Sequence, residues 1–255
     1  MMKVTIKEIK EKYLASKSDE KKFVWTYYVR RPVSYYMTWP FLMLGFSANQ
    51  VTLLWLFVGI MGSAFLTTGN YLFIVIGAIL LELSGILDCV DGHIARFGRP
   101  TYSGKILDTW AGEIVLISSM FSLGIGLSKS TDTFLHRIMS LYSIGNEIFL
   151  YVGFFAALAS LAAWAVRVHW RSTALKLQLD NVDPDSNLRT SNKVLILDNL
   201  FHYSGTYALL MIVFASLGAS DAFILLIAMV YGGFLLKFMS TVVRKMRMLD
   251  NQDPM

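Results

Sequence analysis

Six apolar segments make up most of the chain after residue 47. Short polar or turn-forming links separate them, except that a longer polar, turn-rich loop, 169–198, is predicted after the fourth segment. A membrane-spanning helix needs about 20 apolar residues, and each segment comes close to that length or exceeds it. Their predicted bounds are 48–68, 71–96, 103–128, 140–168, 200–217 and 220–246. The pattern therefore predicts an all-α integral membrane protein with six transmembrane helices.

The residues before the first apolar segment follow a different pattern. The segment IKEIKEKYLASK has mild helical amphipathicity, which is typical of a helix on a lipid surface. Residues 32–46 are rich in aromatic side chains but too few to span, so we expect an interfacial helix with its rings at headgroup level. An ordinary loop with a few aromatic anchors is the alternative. We therefore divide the chain into an N-terminal amphipathic, interfacial segment, 1–46, and one six-helix domain, 47–255.

Composition agrees with a membrane location, because 55% of the residues are hydrophobic and only 16% are charged. The net charge of +5 would fit a nucleic-acid partner, but the basic residues cluster at the chain ends and between the apolar segments. That distribution is typical of membrane topology, so we expect membrane lipids and no nucleic acid as partners. Links that would lie on the same side of the membrane as the two termini hold most of the Lys and Arg residues, and such links usually face the cytoplasm. We therefore expect both termini and the link after Arg96 to face the cytoplasm.

Three carboxylates, Asp88, Asp91 and Asp108, lie at or near the ends of apolar segments. A carboxylate there is costly unless it is paired, hydrated or bound to a cation. At helical pitch, Asp88 and Asp91 share one face of the second segment, and the short link 97–103 could bring Asp108 close to them. Clustered acids repel one another, and hard divalent cations with oxygen ligands are the natural compensation. The small number of carboxylates suits Mg²⁺, with Mn²⁺ as an alternative.

The acids belong to a longer motif with fixed spacing. It reads Asp88-x-x-Asp91-Gly92-x-x-Ala95-Arg96, followed by Gly104-x-x-x-Asp108. This motif resembles the signature of the CDP-alcohol phosphotransferase family. The segment SANQVT at 47–52 also resembles the start of that family's first span, although Ala48 stands where a proline is usual.

The resemblance implies a membrane enzyme that transfers a phospho-alcohol or phosphatidyl group from a CDP-linked donor to an alcohol acceptor and releases CMP. It implies a role in phospholipid or envelope-lipid biosynthesis, with a homodimer as the family-based expectation. It implies that Asp88, Asp91 and Asp108 ligate Mg²⁺, which holds the donor pyrophosphate. It also implies a set of small and polar residues that bind the donor: Asn49, Thr52, Gly92, Ala95, Arg96, Thr101 and Gly104.

The chain departs from the family at one position. The family's second block usually ends in a further aspartate, four residues after Asp108, which is taken as the general base for the acceptor hydroxyl. Gly112 occupies this position and can neither bind metal nor accept a proton. Glu113 could supply the carboxylate, but it is rotated by about 100° from position 112 on a regular helix, so local distortion would be needed.

Two alternatives to Glu113 remain open. The acceptor could be activated by metal or by its own phosphate, or the protein could bind the CDP-donor or lipid without turnover. A transporter is a third function class, but its site would be expected near the bilayer midplane, whereas these acids lie at the end of the segments.

Four further polar residues have two interpretations each. Glu82 is either a buried, hydrogen-bonded carboxylic acid or part of an acceptor pocket. His202 either faces the site or is an ordinary interface residue. Arg167 and Arg171 either bind an acceptor phosphate or only enforce the topology.

Overall fold

The structure is a computed structural model that describes residues 5–16, 23–98, 101–130, 133–176 and 200–252. These residues are mostly helical and contain no β-strand, so the all-α prediction is confirmed. The helices are α1 (Ile6–Ser16), α2 (Arg31–Met43), α3 (Ala48–Leu66), α4 (Tyr71–Phe97), α5 (Tyr102–Lys129), α6 (His136–Leu141), α7 (Glu147–Lys176), α8 (Tyr207–Ser216) and α9 (Ser220–Gln252). A π-helical turn, Thr26–Arg30, leads directly into α2.

Five of these helices, α3, α4, α5, α7 and α9, are long and apolar enough to cross a membrane. This indicates an integral membrane protein. In the predicted fifth span, 200–217, a bend and turns at 202–206 separate the helical residues 200–201 from the ten-residue α8. A sixth crossing therefore stays a prediction.

The predicted bounds of the fourth span, 140–168, are wrong at both ends. A short helix and a turn with Ser143 at a φ of 55° precede α7, which begins at Glu147. The helix then continues to Lys176, so the first part of the predicted polar loop, 169–176, is helical. The rest of that loop lies outside the described residues.

Polar side chains cap the helices that carry the acidic motif. Ser47 accepts a hydrogen bond from the backbone of Gln50, whose side chain accepts one from the backbone of Ser47, which forms a capping box at the start of α3. The side chain of Asn70 caps the start of α4. Thr101 accepts from the backbone N–H of Gly104 at the start of α5. Because each cap fixes where its helix begins, it also fixes the rotation of the residues in the following turns.

Small residues let α3 approach its neighbours closely, as is typical of helix packing in membranes. A Cβ at Gly62 would lie 2.9 Å from the carbonyl oxygen of Gly77 on α4. A Cβ at Gly59 would lie 2.6 Å from Val115 on α5. Since α3 packs against both α4 and α5 while those two helices make few contacts with each other, open space remains between α4 and α5 beside the motif.

The N-terminal segment packs against the motif end of α4. Ile9 and Tyr13 of α1 are each 1% exposed and cluster with Tyr35 of α2. Lys12 donates a hydrogen bond to the carbonyl of Arg96 at the end of α4. Helices therefore occur in both predicted N-terminal regions, and their position at a lipid interface stays a prediction.

A buried ion pair joins the π-helical turn to α4. Arg30 is fully buried and donates to both carboxylate oxygens of Glu82, at 2.9 and 2.7 Å. Burial opposes the charge of Arg30, but the hydrogen bonds and charge of Glu82 outweigh it and raise the pKa of Arg30. Trp25 also donates to Glu82. Glu82 is thus a largely buried, hydrogen-bonded carboxyl group, as one sequence interpretation proposed, and its partner is Arg30. It lines neither of the two cavities described below.

Candidate functional site

The three acids of the motif converge in the structure. Asp88 and Asp91 lie in the last turns of α4, Asp108 lies in the second turn of α5, and one carboxylate oxygen from each lies within 4.8 Å of the other two. The antiparallel return of the chain through the short link between α4 and α5 brings them together, as the sequence predicted.

Asp91 is the most buried of the three, with 5% of its surface exposed. Its Oδ2 accepts hydrogen bonds from Thr52 Oγ1 at 2.6 Å and from Trp55 Nε1 at 2.7 Å. Both donors lie on α3, one turn apart. They fix the orientation of the carboxylate.

Trp55 is itself held by a second layer of contacts. It is fully buried and stacks on Tyr203 with ring centroids 6.1 Å apart. Ser84 donates to the carbonyl of Trp55 and lies 2.7 Å from the hydroxyl of Tyr203, and Arg30 donates to the carbonyl of Tyr203. The ion pair at Glu82 is therefore linked to Asp91 through a continuous chain of contacts.

The acidic cluster fits a divalent cation of the Mg²⁺ type. Mg²⁺ binds oxygen ligands at about 2.0–2.1 Å in octahedral geometry and usually keeps part of its coordination for water or phosphate. Three carboxylate oxygens within 4.8 Å can approach one ion with little movement. Without a cation, the three negative charges would repel one another in a partly buried location.

A cavity of about 350 Å³, here called the α3–α5 cavity, opens on one side of the cluster. It lies between the start of α3, the end of α4 and the start of α5. Its lining residues are Ser47, Ala48, Asn49, Thr52, Asp91, Gly92, Ala95, Thr101, Gly104, Lys105 and Asp108. All but one of the residues that the family resemblance assigns to the donor therefore surround a single cavity.

The exception is Arg96, which is not among the lining residues. Its Nη1 donates to the carbonyl of Gly92 at 2.7 Å, and its guanidinium lies 5.4 Å from the ring of Tyr13. Its predicted contact with a donor phosphate stays a prediction. Arg31 is buried beside it, donates to the carbonyl of Cys89 and lies 4.9 Å from the same ring.

Two glycines of the motif differ in what surrounds them. A Cβ at Gly104 would lie 2.7 Å from Asn49 Oδ1 and 2.9 Å from Thr101 Oγ1, so packing within the chain requires glycine there. A Cβ at Gly92 would meet only the guanidinium groups of Arg96 and Arg31, at 3.5 and 3.7 Å. That is ordinary contact distance, so the protein's own packing does not require Gly92.

A second cavity, of about 330 Å³ and here called the α5–α7 cavity, lies on the other side of Asp108. It is lined by α5, by α7 and by the segment before α8. Its lining residues are Asp88, Asp108, Thr109, Gly112, Glu113, Leu116, Trp164, Arg167, Val168, Arg171, His202, Tyr203 and Ser204. His202, Arg167 and Arg171 therefore face the same space as the acids, as one interpretation of each proposed.

Gly112 and Glu113 both line this second cavity. The helix α5 is continuous from Tyr102 to Lys129, so Glu113 reaches the cavity without the distortion that the sequence led us to expect. The reason is that the cavity covers a wide arc of the helix surface, from Asp108 to Leu116. A Cβ at Gly112 would have no atom within 4 Å, so this position opens directly into the cavity.

Sequence reasoning missed Trp55. A weak signal existed for it, because it follows Thr52 by three residues and so shares its helical face. Tyr203 adjoins His202 at the predicted start of the fifth span, where the sequence suggested that both could face the site, and it does line the α5–α7 cavity. Its contact with Trp55 arises only through the fold.

The comparison with known families agrees with this site. A sequence model of the family described as CDP-alcohol phosphatidyltransferase matches residues 46–179, which is just over half of the 255 residues. The match covers both blocks of the acidic motif. No curated protein matches the chain.

Proposed function

Because this chain belongs to the CDP-alcohol phosphatidyltransferase family, we propose that it transfers a phospho-alcohol or phosphatidyl group from a CDP-linked donor to an alcohol acceptor. The observation that carries the proposal is the position of the acidic cluster between two cavities, with Asp108 lining both. For a group to pass from one substrate to the other, both substrates must reach the acidic cluster, and two separate cavities allow each to approach it independently.

The donor occupies the α3–α5 cavity in this proposal. The cytidine lies among Asn49, Thr52 and Ala95, and the pyrophosphate lies beside Gly92, where the absence of a Cβ leaves room for a phosphate oxygen. Asp88, Asp91 and Asp108 hold Mg²⁺, which when bound neutralises charge on the pyrophosphate. Thr52 and Trp55 keep Asp91 oriented for this task.

The acceptor alcohol occupies the α5–α7 cavity, and Glu113 is the group that accepts its proton. Glu113 lines this cavity on the same helix as Asp108. The acceptor oxygen attacks the phosphorus that carries the donor's alcohol group, the P–O bond to CMP breaks, and the acceptor proton moves to the Glu113 carboxylate. CMP leaves with the electrons of the broken bond.

The proposed setting is a lipid-biosynthetic step at the cytoplasmic side of a membrane. The basic residues at the chain ends and near Arg96 support this orientation.

CMP release tests the proposal. Purified protein with Mg²⁺, CDP-linked donors and a panel of alcohols is expected to release CMP in proportion to the acceptor consumed. Asp88→Asn is expected to reduce that rate by at least about 100-fold, while Lys237→Gln, on α9 and outside both cavities, serves as the control.

A second candidate function is supported by Gly112 at the usual position of the base. In that case the protein binds the CDP-donor without turnover. Donor binding measured by calorimetry, together with no CMP from any donor and acceptor pair, would establish this alternative and overturn the first.

A further inference from the structure

Tyr13 of α1 contacts two arginines at the motif end of α4. The centroid of its ring lies 4.9 Å from the guanidinium carbon of Arg31 and 5.4 Å from that of Arg96. Both distances are within the range of about 6 Å over which an aromatic ring attracts a cation. Tyr13 is buried, and this attraction is strongest where water is excluded. One ring of the N-terminal segment therefore holds two cationic groups at once.

The two guanidinium groups lie beside the same glycine of the motif. A Cβ at Gly92 would lie 3.5 Å from Nη1 of Arg96 and 3.7 Å from Nη1 of Arg31. Gly92 lines the α3–α5 cavity, and the proposed function places the donor pyrophosphate next to it. An oxygen atom near that point is within reach of N–H donors from both arginines. Guanidinium groups bind phosphate oxygens through such planar, paired donors.

Backbone carbonyls hold one edge of each guanidinium group. Nη1 of Arg96 donates to the carbonyl of Gly92, and Nη1 of Arg31 donates to the carbonyl of Cys89 at 3.3 Å. The ring of Tyr13 adds a contact to each group. Arginine side chains are long and flexible, so an arginine that the protein already holds loses less conformational entropy when it binds a phosphate.

The packing of α1 fixes the position of the Tyr13 ring. Ile9, one turn earlier on α1, is also buried. The ring of His93 on α4 meets the Tyr13 ring edge-on, with centroids 5.5 Å apart and an interplanar angle of 85°. The neighbouring Lys12 donates to the carbonyl of Arg96. The helix α1 is therefore anchored on the end of α4 that carries Arg96.

We propose that Tyr13 is a positioning residue for the donor site: its ring holds Arg31 and Arg96 beside Gly92, where their guanidinium groups bind a phosphate of the CDP-linked donor. The inference rests on the proposed function, because it assigns supporting residues to the donor side. It makes Arg31 a second phosphate-binding arginine, and it gives α1 a part in donor binding. The aromatic ring carries the effect and the hydroxyl does not, because the attraction comes from the face of the ring.

Binding of CDP in the presence of Mg²⁺, measured by calorimetry on the full-length protein, tests the role of the ring. Tyr13→Leu keeps an apolar side chain but removes the ring, and it is expected to raise the Kd for CDP about tenfold. Tyr13→Phe keeps the ring and is expected to stay within about twofold of the wild type. In the transfer reaction, Tyr13→Leu is expected to raise the KM for the donor and to leave kcat unchanged.

Ile9→Ala separates positioning from simple packing. It weakens the packing of α1 but leaves the ring and both guanidinium groups in place, since Ile9 contacts neither arginine through an aromatic ring. It is expected to lower the unfolding temperature while the Kd for CDP changes less than about twofold. An equal rise of the Kd in Ile9→Ala and Tyr13→Leu, or a tenfold rise in Tyr13→Phe, would overturn the inference.

Arg31→Gln tests the second arginine. It is expected to raise the Kd for CDP about tenfold, whereas Arg244→Gln, which removes the same charge from an exposed position on α9 outside both cavities, is expected to leave it unchanged. Wild-type affinity in Arg31→Gln would overturn the role of Arg31. If Tyr13→Leu does not fold, Tyr13→Met fills the space with a more adaptable side chain and gives the same comparison.

The wild-type protein distinguishes this inference from the proposed function. If the wild type binds no CDP, both fail together. If the wild type and Tyr13→Leu bind CDP with equal affinity, the proposed function stands and the positioning role of Tyr13 is overturned.

Discussion

Three glycines around the acidic cluster differ in the space beside their Cα atoms. Gly104 is required by the side chains of Asn49 and Thr101. Gly92 faces a cavity, and only flexible guanidinium groups lie near it. Gly112 has no neighbour within 4 Å on its side-chain side. The same residue type therefore meets side chains of the protein in one place and borders a cavity in the other two.

Alanine at the first two positions is expected to separate folding from binding. Gly92→Ala should leave the unfolding temperature unchanged or slightly raised, since alanine favours a helix, and should raise the KM for the CDP-linked donor about 10- to 100-fold. Gly104→Ala should destabilise the protein by about 1–3 kcal/mol through overpacking. Thermal unfolding in detergent measures the stability of each variant, and the rate at varied donor concentration measures its KM for the donor. Equal donor kinetics in Gly92→Ala and the wild type would contradict the assigned place of the pyrophosphate.

The third glycine allows a direct test of the proton acceptor. Glu113→Gln is expected to lower kcat about 10²- to 10⁴-fold with little change in the donor KM. Adding Gly112→Asp to this variant places a carboxylate in the same cavity at an unobstructed position. The kcat of the double variant should be at least about tenfold higher than that of Glu113→Gln alone. The release of CMP by the two variants is the measurement. Full activity in Glu113→Gln would show that another group accepts the proton.

At the level of single elements, the apolar pattern predicts helices better than it predicts their ends. The cores of α3, α4 and α5 follow directly from long apolar runs, and the caps at Ser47 and Thr101 use residue types that are typical of helix starts. The end of α7 could not be predicted, because the helix continues through polar residues to Lys176 where hydropathy falls. The contact of Trp55 with Asp91 depends on how α3 is rotated against α4, which no local pattern specifies.

The π-helical turn before α2 is held by the ion pair of Arg30 and Glu82. Gly85 makes room for it, because a Cβ there would lie 2.7 Å from the guanidinium carbon. The side chain of Thr26 in this turn donates a hydrogen bond to the carbonyl of Ser204. The N-terminal segment therefore contacts Ser204, one of the residues that line the α5–α7 cavity.

Removing one charge of this ion pair is expected to lower the free energy of unfolding more than removing both charges. Arg30→Leu leaves the Glu82 charge largely buried and should cost about 3–5 kcal/mol of stability. The double variant Arg30→Leu/Glu82→Leu removes both charges and should recover part of that loss. Thermal unfolding of the purified proteins in detergent measures the difference. Equal losses in the single and double variants would show that the charges do not act as a pair.

At the scale of the whole molecule, two cavities meet at one acidic cluster. The convergence of Asp88, Asp91 and Asp108 could be predicted, because helical pitch and a short link determine it. The division of the space around them into two cavities could not, since it depends on α7 and on the segment 202–204, which are distant in sequence. The motif thus predicted most residues of the α3–α5 cavity. For the α5–α7 cavity the sequence offered only one of two interpretations for His202, Arg167 and Arg171, and the fold brings them together.

The burial of Arg30 has a consequence for biogenesis. Its partner Glu82 follows 52 residues later in the chain, but the carbonyl of Tyr203 that it also contacts follows 173 residues later. During synthesis, Arg30 and Glu82 are both present long before Tyr203 has been translated. The hydrogen bond from Arg30 to Tyr203 can therefore form only after residue 203 of the 255 has been made, so one of the first segments translated gains one of its contacts late.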